Sequence, residues 1–311
     1  MPLGLRRGTV SALVEELPEL VRLEVDGIPC VAYPRLTGAV EVGDDVLVNE
    51  QARLLELGSG GFDVLYANLT RGLGLAPEEG AHVMALPYTP GQVALRRGEE
   101  DGERATTLYG TPVVLCTLHS QVAPVCAALA GLRVAYVQVQ GGALPVPLSH
   151  TLRMLRERRL LATTYAVAPC LAAEVDCVSA AAAFTLAADH DAILCALGPG
   201  IVGTGTRLGH GALALADAAN TASALDGRPV LAVRTSEADE RERHQGVSHH
   251  AQAVLELCLG RVVVPTEEDG DGWEEACAGL PLAHMGRGPE EDPAFFRAAY
   301  AAGVTARRLL G

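Results

Sequence analysis

Short apolar runs and turn residues alternate through the first ninety or so positions. Runs at 8–10, 21–25, 28–33, 45–48 and 62–66 are rich in β-branched and aromatic residues. Asp26-Gly27, Thr37-Gly38, Gly43-Asp44 and Gly58-Ser59-Gly60-Gly61 lie between them. Asp-Gly between two apolar runs predicts a tight hairpin with a mirror-image turn. Several short strands broken by frequent turns predict a small barrel. Such a barrel either binds a ligand or partner or is a packing module. The charged stretch Arg96-Arg97-Gly98-Glu99-Glu100-Asp101-Gly102-Glu103-Arg104 then reads as a solvated loop.

Beyond residue 110 the rhythm changes. Continuous apolar runs at 113–118, 134–139, 162–168, 192–197, 230–233 and 261–264 alternate with helical patterns at 121–130, 148–159, 178–188, 210–225 and 249–259. Strands without polar alternation are buried on both faces, and intervening helices supply the cover. The expected fold is α/β: an N-terminal small β-barrel (1–90), a linker (91–110), and an α/β ligand-binding domain (111–311). The latter is built on a doubly wound, mostly parallel sheet with helices on both faces. A helical pattern at 293–310 closes the chain.

In such sheets ligands bind beyond the carboxyl ends of the strands. The residues there are unusually polar: His119-Ser120 after the first run, Gln140-Gly141-Gly142-Ala143 after the second, Gly198 to Thr206 after the fourth, and Arg234-Thr235-Ser236 after the fifth. The last leads on to Arg243-His244-Gln245-Gly246-Val247-Ser248-His249-His250. Gly198, Gly200 and Gly203 match G-x-G-x-x-G, with Thr204, Gly205 and Thr206 following. Free backbone N–H groups and threonine hydroxyls there suit phosphate or carboxylate. The same glycines also serve tight turns and close packing. Arg234 would suit a 2′-phosphate.

Ser248 reads as a helix N-cap, placing His249 and His250 in the first helical turn. The helix dipole there favours neutral imidazole, able to act as base, donor or metal ligand. Adjacent helical residues point roughly 100° apart, so the two are not expected to share one centre. His244 and His119 complete the candidate acid–base set. Ser120 reads as nucleophile or as cap of the next helix. Asn220 either reaches the crevice or bonds a loop carbonyl. Arg287, between two glycines, reads as an anion-gripping turn or an ordinary exposed loop. Glu237, Asp239, Glu240 and Glu242 read as a solvated face.

Composition narrows the chemistry. All 24 basic residues are arginine. A Schiff-base lysine and a Walker A lysine are therefore excluded. A net charge of −14 with no basic cluster argues against nucleic acid and anionic lipid. Eight cysteines without a C-x-x-C pair point to free thiols in a reducing compartment. With no leader-like segment and no run near the roughly 18 apolar residues of a spanning helix, a cytoplasmic location is expected.

G-P-G-I-V-G-T-G-T-R-L-G, R-H-Q-G-V-S-H-H, Q-G-G-A-L-P and M-G-R-G-P-E-E-D-P occur together with the opening R-R-G-T-V. Jointly these motifs resemble an uncharacterised bacterial family, domain of unknown function 3866, over essentially the whole chain. The resemblance implies a bacterial cytoplasmic protein and brings no catalytic residues with it.

The leading expectation is a small phosphate- or carboxylate-bearing ligand held by the glycine loop with Arg234 or Arg243. His119, His244 and His249 would carry hydrolysis or group transfer, or coordinate a metal. One alternative is an NADP-linked oxidoreductase. Another is a non-catalytic regulatory or assembly protein whose barrel contacts a partner. Cofactor and metal are left open, and a homo-oligomer is compatible with the sequence.

Overall fold

Asp26 and Gly27 adopt φ of 53° and 76° and close a two-residue hairpin in which Val25 faces Ile28. This is the turn the Asp-Gly pair predicts. It joins β2 (Leu20–Val25) to β3 (Ile28–Ala32). With β1 (Leu5–Leu17), β4 (Asp45–Asn49) and β5 (Asp63–Asn68) they form a closed barrel in the order β1-β2-β3-β5-β4. Val10, Leu23, Val25, Val46, Val48 and Leu65 fill its interior. The turn α1 (Pro34–Thr37) follows β3, and α2 (Gln51–Leu54) follows β4. A separate short hairpin pairs β6 (Val83–Ala85) with β7 (Val93–Leu95).

The structure is a computed structural model and describes residues 3–56, 60–76, 78–101 and 105–311. The Gly58-Ser59 part of the turn signal and the Gly102-Glu103-Arg104 part of the charged stretch lie outside the described residues. The chain divides into two compact units, Met1–Arg96 and Arg97–Gly311. Part of the 91–110 stretch is built into them. β7 belongs to the first unit. In the second, the 3-10 turn Gly98–Glu100 is anchored where Glu99 accepts the Val178 N–H at 2.7 Å.

The second unit carries a six-stranded sheet of β8 (Pro112–Cys116), β9 (Val134–Val139), β10 (Thr163–Val167), β11 (Val175–Cys177), β12 (Ala192–Leu197) and β13 (Arg228–Ala232). The order is β11-β10-β9-β12-β8-β13, and every pairing is parallel. Every residue of β8, β9 and β12 is buried, which explains their uninterrupted apolar character.

Alternate residues feed two cores, one on each face. On one face Leu115, Val137, Ile193 and Cys195 pack with α5 (Ala180–Leu186), α6 (Ala214–Ala224) and α7 (His249–Leu257). On the other, Val114, Tyr136 and Leu194 pack with α3 (Val122–Ala128), α4 (His150–Glu157) and α9 (Pro293–Arg308). The short α8 (Trp273–Ala276) joins a smaller cluster with Phe295 and Phe296.

Two sequence expectations change. The 261–264 run adds only a single bridge, Val263 to Val230; Pro265 follows and has no N–H to extend the ladder. The edge strand β11, three residues long, was not foreseen. None of the eight cysteines forms a disulfide among the described residues. No helix among the described residues is long and apolar enough to cross a membrane.

Candidate functional site

β12, β8 and β13 are neighbours in the sheet, so the segments leaving their carboxyl ends converge. A cavity of about 140 Å³ lies there. It is lined by Leu118 after β8, by Gly203, Gly205 and His210 after β12, and by Arg234 after β13. Arg241, Arg243, His244 and His250 complete its polar wall. Arg241, Arg243 and His244 come from the excursion between β13 and α7, and His250 from the first turn of α7. A two-stranded ladder of β14 (Thr235–Ser236) and β15 (Gly246–Val247) braces that excursion.

The glycine-rich segment is a hairpin, not an open cradle of donors. Gly203 bridges His210 across it. The Thr204 N–H donates to the Gly209 carbonyl at 2.7 Å, the Gly211 N–H to Val202 at 2.8 Å, and the Val202 N–H to Gly141 at 3.0 Å. Thr204 and Thr206 hydroxyls bond one another at 3.0 Å. The Val202 and Thr204 donors are thus spent on the backbone, and the hairpin places His210 beside the cavity. Gly198 serves packing: a Cβ there would lie 2.1 Å from the Leu144 carbonyl oxygen. Gly200 supplies a turn at φ 76°. Gly203 and Gly205 do border the cavity.

Four histidines meet at this place. The His210 ring stacks on His250 at 4.0 Å, His249 and His250 are 4.3 Å apart, and His244 is 5.0 Å from His249. One ring nitrogen from each of His210, His249 and His250 lies within 4.8 Å of the others. The expectation that neighbouring helix positions would keep His249 and His250 apart is therefore overturned. They stand at the very start of α7, where Ser248 caps the helix by accepting the His250 N–H. His210 was read as a helix start; α6 begins four residues later, after the 3-10 turn Gly211–Leu213. A histidine closing a glycine-rich hairpin was the available signal.

All four imidazoles are held neutral. Burial, then His210 and Arg234, pushes His250 down to about 2. Burial, then Arg234 and Arg241, takes His244 to about 3. Burial followed by His249 lowers His210, and burial followed by Arg243 lowers His249. The Ser248 hydroxyl bonds His244 Nδ1 at 2.7 Å, and the Arg243 Nε–H donates weakly to His244 Nε2 at 3.4 Å. Among the described residues neither ring nitrogen of His210 makes a well-formed hydrogen bond, although the Arg207 carbonyl lies close by, and Nε2 of His249 has no partner.

The guanidiniums set the charge. Arg234, 2% exposed, donates to His250 Nδ1 and to Asp239, each at 3.2 Å. Burial lowers it to about 10, so it remains a cation at neutral pH. It is committed to these internal partners rather than presented as an exposed clamp for a 2′-phosphate. Asp239, read from sequence as part of a solvated face, is instead 2% exposed. It pairs with Arg234, Arg241 and Arg287; the Arg241 bond above all holds it far below the usual carboxylate range. Arg287 also pairs with Asp292, which accepts from Ser236 at 2.6 Å. Its role is to tie the wall together. Arg243 alone of the lining arginines pairs with no carboxylate among the described residues.

Other candidates are placed elsewhere. His119 is buried outside the cavity lining; its Nδ1–H donates to the Leu197 carbonyl at 3.1 Å and its Nε2 accepts from Ser149 at 2.7 Å. Ser120 does not cap α3; its hydroxyl bonds His284 Nδ1 at 3.4 Å. Asn220 pins the chain after α7, donating to Leu257 O and accepting from the Leu259 N–H.

No curated protein matches the chain. A family pattern matches residues 29–279, most of both units, with the family described as "Protein of unknown function (DUF3866)". The motifs that form the hairpin and the histidine excursion fall inside that span, and the chain belongs to this family.

Proposed function

We propose that the second unit binds a small phosphate- or carboxylate-bearing molecule in the cavity at the β12-β8-β13 carboxyl ends, with neutral histidines beside it for acid–base chemistry. The observation that carries this reading is the charge of the wall. Arg234, Arg241, Arg243 and Arg287 meet only Asp239 and Asp292, and Arg243 borders the cavity without a carboxylate of its own. An anion completes that arrangement, and its bond to Arg243 would be charge-assisted. Neutral His244 or His249 beside a bound ester or acyl group suits hydrolysis or group transfer. Eight cysteines without a disulfide among the described residues fit a reducing, cytoplasmic setting, and the family resemblance fits a bacterial one.

The test is thermal unfolding of the native chain and Arg243→Gln with orthophosphate, sugar phosphates, nucleotides and dicarboxylates. A ligand at 100 times its dissociation constant adds about 2.7 kcal/mol. A shift in the native chain that Arg243→Gln loses supports the reading. No shift across the panel, or one indifferent to Arg243, overturns it. Binding without turnover of any bound ester would mark a regulatory or assembly protein.

A further inference from the structure

We propose that His210, His249 and His250 form a binding site for a divalent transition-metal ion of the imidazole-seeking class, zinc, cobalt or nickel. The first support is convergence. Segments some forty residues apart in sequence bring three imidazole nitrogens within 4.8 Å of one another. A tetrahedral ion about 2.0–2.1 Å from each nitrogen needs them closer still, a contraction on the order of 1 Å that ring rotation can supply. The second is independent. Among the described residues both nitrogens of His210, a residue only 8% exposed, are buried without a well-formed hydrogen bond, and Nε2 of His249 is buried without a partner. Buried polar groups are ordinarily paired, and a metal ion is the partner that imidazole lone pairs accept most readily.

His250 joins by a specific exchange. Its Nδ1 accepts from Arg234 at 3.2 Å, and coordination requires that bond to loosen while Arg234 keeps Asp239. Ser248 holds the backbone of the pair in place through the His250 N–H. The class of metal follows from the donors and the charge. The trio offers nitrogen and no carboxylate, so magnesium and calcium find none of their preferred ligands. Nearby Arg234 and Arg243 oppose any ion held by charge alone, leaving those with strong imidazole bonds. Three protein ligands leave a further position, the pattern of reactive rather than structural sites.

The proposal does not depend on the anion reading, because the metal is tested alone. The full chain is stripped with a chelator, dialysed into a phosphate-free, non-coordinating buffer, and titrated calorimetrically with zinc; cobalt loading is followed by visible absorption. The expected result is one ion per chain and intense cobalt bands of a four- or five-coordinate ion. His210→Gln and His249→Gln should each weaken binding at least tenfold, while exposed His150→Gln leaves it unchanged and magnesium does not bind. No saturable zinc binding, a hexa-aqua-like cobalt spectrum in the native chain, or binding unchanged in both variants overturns it. If a variant fails to fold, the native cobalt spectrum decides.

Discussion

Asp239 shows how much one carboxylate can carry. It is 2% exposed and is the shared acceptor of three guanidiniums, one of them equally buried. Removing one member of a buried pair leaves an uncompensated charge, whereas an exposed pair contributes little. Asp239→Ala is therefore expected to cost about 3–5 kcal/mol in urea unfolding. Arg241→Ala, whose side chain is 40% exposed, should cost about 1 kcal/mol or less. Near-equal losses would contradict this ordering. At this scale the sequence marks Arg234, His244 and His250 as wall residues through their position after a strand. It hides Asp239 among Glu237, Glu240 and Glu242, which are exposed. Composition cannot tell which of four neighbouring acids turns inward; that is decided by where Arg234 ends up.

Between elements, the close approach of two loops is decisive. A Cβ on Gly211 would lie 2.1 Å from the carbonyl oxygen of Gly141, a backbone atom with no rotamer to move. Gly211→Ala should thus force apart the loops following β9 and β12 and cost about 1–3 kcal/mol, read as a lowered thermal midpoint. Ser248→Ala removes the N-cap of α7 and the hydroxyl bonded to His244. Its expected cost is about 1 kcal/mol from the cap alone, checked by denaturant midpoint. The core strands β9 and β12 are legible at their observed bounds, because burial on both faces writes an uninterrupted apolar run. β11 is illegible for the opposite reason: three residues centred on Asp176 carry no run at all. His210 is missed because periodicity extends α6 backward over a hairpin that only tertiary pairing with Gly203 defines.

Over the whole molecule, histidine burial sets the response to acid. His119 sits between the Leu197 carbonyl and the Ser149 hydroxyl, and burial lowers it from 6.5 to about 4. In the unfolded chain it takes a proton below about 6.5. Between those values the unfolded state binds more protons, so stability falls as pH falls; above 6.5 the contribution is complete. For His119 this is on the order of 3 kcal/mol. His284, lowered to about 4 chiefly by burial, acts in the same direction. Urea midpoints should drop steadily from pH 7 to pH 4.5, and a flat profile would refute the assignment.

The strand order also fixes a sequence of events during synthesis. All five barrel strands lie within residues 5–68, so every partner is present once Asn68 has emerged. β8, next to the edge strand of the six-stranded sheet, instead waits for β13, whose first residue is Arg228. At about 5–20 residues per second the intervening chain takes about 6–22 s to make. A small barrel closes in milliseconds to seconds. The first unit is therefore complete while β8, every residue of which is buried in the finished sheet, still lacks a neighbour that the ribosome has not yet produced. Nascent-chain aggregation and chaperone capture should concentrate around β8, residues 112–116, not on the barrel.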